Sequence, residues 1–517
     1  MITTASKQVG FFDAAELIGP LPEGSFYALL AEHGERIVGD EDFAECYSER
    51  QGRPSIPPSK LAKVMLLQYR TGLSDREAME AARWDLRWKA ALDLPVDHAG
   101  WDPSTLTRFR ARLLLHGKER LVLENSLRMA EELGLLDAPA EQIVDSTPML
   151  GAAATQDTVR LVRSGVRKLL DGVRSVNHEA GTVLDDSLEF DYQKPWEKPD
   201  CRWREKRARE RMLTRVAEDA ERALRAVEQA EGLLDDERVE RAHELLRELV
   251  GQDFDVDEDG VPRLHCGTRS GRILSVHDPE MRHGRKSQHQ RFDGYKLSAT
   301  ATNSDTPLIT AVAVAPASEQ DGPQAPVLVA GQPAERRPRR LLGDTAYGNR
   351  PVRADLKERS VAVLAPVPEA PVKGGRLPKR DFRIDPGRGT VTCPAGQIAQ
   401  IRTEPSGRRR ARFPNAACDH CALRPRCVDA RGRRTIELEP QEELLIAARQ
   451  ALDDPATAEH LRRTRPRIER LLGLLAHRYG ARKSRYRGRR KSLLQATWTA
   501  ALVNLNPISS AFAAQSA

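Results

Sequence analysis

Read for the spacing of its apolar residues, the chain changes period several times. Pro57-Pro58-Ser59 followed by Leu61, Val64 and Met65 gives a helix start with an apolar face at i, i+3 and i+4. Ser74 with Glu77 three residues later reads as a capping box, opening a helix predicted over 75–91. Asp102-Pro103-Ser104 opens another, with Leu106, Phe109 and Leu113 on one side and Arg108, Arg110 and Arg112 on the other. Such stacked short helices with one basic face suit DNA binding of helix-turn-helix type, or equally a helical dimerisation module with a solvated arginine face. From Trp203 to Leu249 the positions Leu213, Val216, Ala220, Leu224 and Val227 keep helical spacing, and Asp235-Asp236 marks a turn. That stretch predicts a helical hairpin whose mixed charges form a solvated face. Strand-like runs occur at 142–147, 295–300, 308–314 and 361–365, and Leu341-Leu342 ends a shorter one. The runs at 295–300 and 308–314 flank Asn303-Ser304-Asp305 and read as a β-hairpin, and a short helix is expected near 325–330. Helical stripes return as Ile468, Leu471, Leu472 and Leu475, then Leu494, Trp498, Ala501 and Leu505. The order is that of an α/β layer structure whose sheet has mixed strand directions.

Composition narrows this picture. A length of 517 residues calls for two to four domains, and 40% apolar with 30% charged residues describes a soluble globular protein. No apolar run approaches the ~20 residues that span a bilayer, and the first ten residues lack the layout of a signal peptide, so an intracellular, cytoplasmic protein is expected. Seven cysteines, four of them between Cys393 and Cys427, argue against a disulfide framework. Cys418 and Cys421 form a CxxC pair with Cys427 six positions on, and Cys393 can close a tetrahedral zinc site; the alternative is a reduced, metal-free set of thiols. The net charge of +7 is modest, but from Arg462 to Lys491 thirteen Lys or Arg face one acid, Glu469. That is an electrostatic footprint for phosphates.

Three acids stand out against this background. Asp145 follows the apolar pair Ile143-Val144, Asp344 follows Leu341-Leu342-Gly343, and Glu469 lies in the basic helix. Three carboxylates from distant segments are what a divalent metal site needs. Each also has a plain structural reading: Asp344 as a turn residue, Glu469 as the i, i+4 partner of Arg465. Other candidates for the third acid are ordinary in their contexts. Glu437 and Glu439 alternate with Ile436 and Leu438 as the solvent face of a strand, Glu442 and Glu443 are first-turn helix acids, and Asp278 and Asp293 sit in turns.

The phrases Val144-Asp145-Ser146-Thr147, Gly343-Asp344-Thr345-Ala346-Tyr347 and Arg465-Pro466-Arg467-Ile468-Glu469-Arg470 resemble the three catalytic blocks of DDE transposases of bacterial insertion sequences, in the eleven-eighty-two family. Arg53-Pro54, Leu66-Leu67-Gln68, Leu73 to Glu77 and Ser104 to Arg110 resemble the InsH-type N-terminal domain of such enzymes. Arg485-Tyr486-Arg487-Gly488, Gln495 and Asn504-Leu505 resemble the family's C-terminal tail, and the cysteine cluster has a counterpart there too. The resemblance implies an RNase-H-like mixed-sheet catalytic core with an α-helical N-terminal domain, a helical insertion and a small Cys-rich insertion. The expected division is 1–136 for the helical N-terminal domain, 137–195 with 256–366 for the core, 196–255 for the helical hairpin, 367–440 for the Cys-rich insertion and 441–517 for the C-terminal helices.

The same resemblance implies a nucleoid-associated enzyme, a dimer on double-stranded DNA, that cuts element ends and joins them to target DNA. Asp145, Asp344 and Glu469 are expected to hold two Mg²⁺ (or Mn²⁺) ions, with Asp145 bridging. Arg465, Arg470, Arg482, Lys483, Arg485, Arg487, Arg489 and Arg490 are expected to hold the phosphate backbone, with Arg108 and Arg110 contributing from the N-terminal domain. One departure concerns the signature around the third acid, where Arg462 stands in the family's Tyr place and Ala476 in its Lys place. Two other classes stay open: a metal-dependent nuclease without strand transfer, and a transposase-derived DNA-binding protein that no longer cuts.

Overall fold

The computed structural model describes residues 2–4, 14–48, 54–136, 140–194, 196–287, 289–369, 376–428 and 433–516. Arg53, one of the residues that carry the N-terminal resemblance, lies outside them. Six strands form the central sheet: β1 (Glu141–Leu150), β2 (Arg282–Arg285), β3 (Arg291–Thr302), β4 (Ile309–Pro316), β5 (Arg340–Leu342) and β6 (Ala362–Leu364). β1 lies between β3, to which it is antiparallel, and β5, to which it is parallel. β3 also pairs with β2 and β4, while β6 continues the parallel side from β5. The predicted hairpin is β3–β4, and the parallel neighbours arrive through longer crossovers, which gives the mixed sheet.

Helices cover this sheet. The C-terminal helix Arg489–Ser516 packs on β4, and Asn504 fixes the contact by accepting from the Ile309 N–H (2.8 Å) and donating to the Ile309 carbonyl (2.9 Å). Leu494, Trp498, Ala501 and Leu505 of its predicted stripe are fully buried. Among the described residues no helix is long and apolar enough to cross a membrane.

The N-terminal region is helical, and the Ser74–Glu77 capping box forms, with Glu77 N–H to Ser74 Oγ at 3.3 Å and Ser74 N–H to Glu77 Oε2 at 2.8 Å. The single helix predicted over 75–91 is two, Asp75–Trp84 and Leu86–Leu92. Asp85 breaks it, because its side chain accepts from the Arg87 N–H (2.9 Å) and so caps the second helix. Arg110, expected on a DNA-facing surface of the Ser104–Leu115 helix, is buried instead and forms a two-pronged ion pair with Asp75. A charge in that position is neutralised inside the protein and cannot reach a phosphate.

Between β1 and β2 the expected helical hairpin appears as Lys206–Gln229 and Glu237–Asp253. It shares one core with two helices not anticipated, Thr158–Val176 and His178–Asp186. After β6 comes a separate antiparallel sheet of five strands, Arg383–Asp385, Thr390–Thr392, Ile398–Thr403, Arg409–Arg412 and Thr435–Leu438. Ile436 and Leu438 are buried there and Glu437 is exposed, as the alternation predicts. Glu442 does open a helix, Glu442–Asp453, yet its carboxylate is buried, 2.6 Å from Lys379 Nζ.

Candidate active site

Strand register brings the first two acids together. Ile143 of β1 lies opposite Leu342 of β5, so the next two residues of each parallel chain carry Asp145 and Asp344 to the same level. Gly343 permits the approach: a Cβ there would stand 2.8 Å from a ring carbon of Tyr347 and 3.0 Å from Val144 Cγ1. Asp344 caps the turn Thr345–Tyr347 by accepting from the Ala346 N–H (2.8 Å), so its turn role and its place beside Asp145 coexist. Asp145 accepts from the N–H of Ser146 at 2.8 Å.

The third acid arrives on the helix Pro455–Gly473, whose Ile468, Leu471 and Leu472 are buried against the core. Glu469 emerges beside that stripe with 54% of its side chain exposed, 3.6 Å from Arg465. Polar bonds on both sides of Pro466 hold the helix to the sheet. His460 Nε2 lies 2.7 Å from Glu141 at the start of β1, and Asn303 in the β3–β4 turn donates to the same carboxylate at 2.7 Å. Arg467 donates to Asn303 Oδ1 (2.7 Å) and to Asp305 (3.1 Å). Burial pushes the Glu141 carboxyl up, but the bonds from Asn303 and His460 and the charge of Arg340 outweigh it and hold the group below the usual carboxylate range.

Asp145, Asp344 and Glu469 line one cleft of about 690 Å³, together with Arg465, Arg482, Lys296, Arg285 and Lys286. Burial is the largest influence on Asp145, and the neighbouring charges of Asp344 and Glu469 add to it. Together they push its carboxyl up to about 6, against the pull of the Ser146 N–H and Arg465. Three hard oxygen donors that repel one another in a partly desolvated cleft fit a divalent cation by their chemistry. Among the described residues, no three His, Cys, Asp or Glu side chains are drawn close enough to hold a metal ion as they stand.

The clustered cysteines are no exception among the described residues. Cys393, Cys418, Cys421 and Cys427 nevertheless line one small cavity of about 20 Å³, all as free thiols, and the backbone N–H of Gln397 donates to Cys393 Sγ at 3.3 Å. Burial, and then the neighbouring Cys418, Cys393 and Cys421, push the Cys427 thiol up against the opposing charge of Arg434.

The expected phosphate ligands divide. Arg465 and Arg482 line the cleft, and Arg108, Arg470, Lys483 and Arg487 are exposed or partly so without an ion-pair partner among the described residues. Arg489 lies 3.9 Å from Glu280. Arg485 and Arg490 are engaged within the protein: Arg485 donates to the Leu73 carbonyl and sits over the Tyr69 ring, and Arg490 holds Glu119 and the Leu114 carbonyl. At the signature positions, a π-helical turn, Leu474–Arg478, buries Ala476 and leaves His477 exposed at the cleft wall. Arg285, Lys286 and Lys296 were not anticipated. The signal that could have found the first two is the basic run Arg282-His283-Gly284-Arg285-Lys286 ahead of the hairpin.

Residues 16–112 match a transposase domain (DUF772), and residues 392–509 match a transposase DDE domain. The second match contains Glu469 and the cysteine cluster; Asp145 and Asp344 lie outside both. No curated protein and no solved structure matches the chain.

Proposed function

We propose that Asp145, Asp344 and Glu469 are the catalytic acids of this DDE transposase of the insertion-sequence kind, and that it cuts and rejoins DNA at the ends of its element. One observation carries the assignment. Three acids separated by long stretches of chain line a single cleft, and two of them raise the proton affinity of the third.

In this reading the three carboxylates hold Mg²⁺ (or Mn²⁺), which when bound supplies an activated oxygen nucleophile and stabilises the leaving oxygen. Arg465 and Arg482 flank the acids and orient the phosphodiester, while Arg470, Lys483 and Arg487 extend the basic track along the backbone. The central sheet is read as an RNase-H-like core. The four thiols around one ion-sized cavity are proposed as a structural zinc site.

Glu469→Gln keeps shape and removes the charge. It should leave duplex binding within about threefold of wild type while lowering Mg²⁺-dependent cleavage by at least about 10³-fold, on the scale of removing a key electrostatic group. Cleavage at the wild-type rate would show that a different acid completes the site. Assaying joining as well as cutting separates a transposase from a nuclease with the same metal chemistry.

A further inference from the structure

The edge of the central sheet ends in a short arm. β2 and β3 pair from Arg282 opposite Gly294 to Arg285 opposite Arg291, and the loop between them closes with the Lys286 N–H donating to the Gln290 carbonyl at 2.9 Å. The pair just behind its tip is well packed. Phe292 is buried, and a Cβ on Gly284 would stand 2.7 Å from both the Phe292 ring and Ala317 Cβ. One step further from the tip, His283 and Asp293 form a complementary cross-strand pair, Nδ1 to Oδ1 at 2.6 Å, and Thr155 donates to the same carboxylate at 2.9 Å.

The tip obeys a different logic. Arg285 and Arg291 face each other directly across the last pair of the ladder, and Lys286 follows at once. Like charges directly opposite on a hairpin weaken it. All three side chains are exposed, and none has a carboxylate partner among the described residues, whereas Arg336, Arg340 and Arg467 near the sheet each have one. The repulsion is therefore left uncompensated within the protein at a place where the fold itself is firm. Arg285, Lys286 and Gln290 line the cleft that holds the three acids, as do Arg465 and Arg482, and Arg291 stands beside it as the cross-strand partner of Arg285. Acids and cations that share one cleft suit a chain of phosphates whose scissile group lies over the acids and whose neighbours are held by the cations.

We propose that the β2–β3 arm is a phosphate clamp, with Arg285, Lys286 and Arg291 binding the backbone of the DNA strand laid across the cleft. The proposal rests on the reading of that cleft as the DNA-cutting centre, and it adds a contact that the basic C-terminal segment does not supply. Its three exposed cations make contacts to phosphate, which position the strand and carry no sequence information.

The test uses the full chain and a random-sequence duplex, so that it does not depend on knowing the element ends. Binding is titrated across a series of salt concentrations for the wild type, for Arg285→Ala/Lys286→Ala/Arg291→Ala, and for a control triple, Arg204→Ala/Arg207→Ala/Arg211→Ala, which removes three exposed, unpaired cations from the helical insertion. The slope of log K against log[salt] should fall by roughly 2 to 3 in the arm variant, since each lost phosphate contact removes about 0.9, and should stay unchanged in the control. The arm variant should melt no lower than wild type, because it relieves repulsion. An unchanged slope in the arm variant, or an equal fall in the control, overturns the clamp while leaving the cleft's assignment standing. A wild-type protein whose binding is insensitive to salt would instead overturn the reading of the cleft, and the clamp with it.

Discussion

Asp145 shows how a single residue can be read in two ways that agree. In β1 it follows the buried Ile143 and Val144, and its charge is disfavoured by burial and by Asp344 and Glu469 together. A carboxyl raised to about 6 binds its proton more readily in the native than in the unfolded chain, so without metal the protein loses stability as pH rises from about 4 to 6 and regains none above that. Asp145→Asn removes the cost. In EDTA at pH 8 the variant should be more stable than wild type by on the order of 2 kcal/mol, a pKa unit being worth about 1.4 kcal/mol. Mg²⁺ should raise the melting temperature of the wild type and not of the variant. A variant less stable than wild type in EDTA would contradict this account of the cleft. The apolar-then-acid pattern made Asp145 and Asp344 legible in the sequence, because a strand that ends or dips at a carboxylate leaves a local trace. Arg110 was not legible in the same way. Its neighbours on the helix are exposed arginines, and only the fold reveals that Asp75, far off along the chain, takes its charge.

At the scale of elements, legibility followed how local the cause of each element is. The Ser74–Glu77 box, the β3–β4 hairpin and the buried stripe of Ile468, Leu471 and Leu472 have their causes within a few residues, and all form. β2 has no such cause: Arg282-His283-Gly284-Arg285 shows no apolar alternation and is a strand because β3 offers it an edge. The helix Thr158–Val176 is a different case. Val159, Val162, Val166, Leu169 and Val173 keep helical spacing and are buried, so the period was present, though valine by propensity favours strands. The small sheet carries the cysteine prediction. Its cavity has room for about one small ion, so metal analysis of protein purified without chelator should find about one zinc per chain, and Cys418→Ser with Cys421→Ser should abolish it. Protein that is folded and free of zinc would establish the reduced-thiol alternative.

Over the whole molecule, the first and last segments of the chain are joined beside the sheet. Asp75 accepts from Arg110 (Nη1 at 3.0 Å) and from Gln68 (2.7 Å), Arg110 lies over the Tyr486 ring, and the Tyr69 and Tyr486 hydroxyls are 3.0 Å apart. Burial pushes the Asp75 carboxyl up, but the bonds from Arg110 and Gln68 and the charge of Arg485 outweigh it, and the group is held below its ordinary value. Its contribution to stability is therefore complete above the unfolded value near 4 and is lost as pH falls through the lower, folded value. Asp75→Asn should destabilise the protein by about 1–3 kcal/mol at pH 7, because Arg110 keeps a buried charge without its partner. The gap between variant and wild type should close in acid-unfolding curves once pH has fallen below the ordinary carboxylate range and through the lower, folded value. A gap that is constant with pH would assign the effect to packing instead.

The position of β1 in the sheet also sets an order in time. The strand that carries Asp145 is made first and sits in the middle, yet its antiparallel neighbour begins at Arg291 and its parallel neighbour at Arg340. At about 5–20 residues per second on the ribosome, the gap from Leu150 to Arg291 leaves it unpaired for roughly 7 to 30 seconds. The helix insertion emerges in that interval and can close its own core while the strand waits. The helix bearing Glu469 comes later still, so on the proposed reading of the cleft a nascent chain that holds Asp145 and Asp344 lacks the third acid, and the ability to break DNA is withheld until that helix has been made.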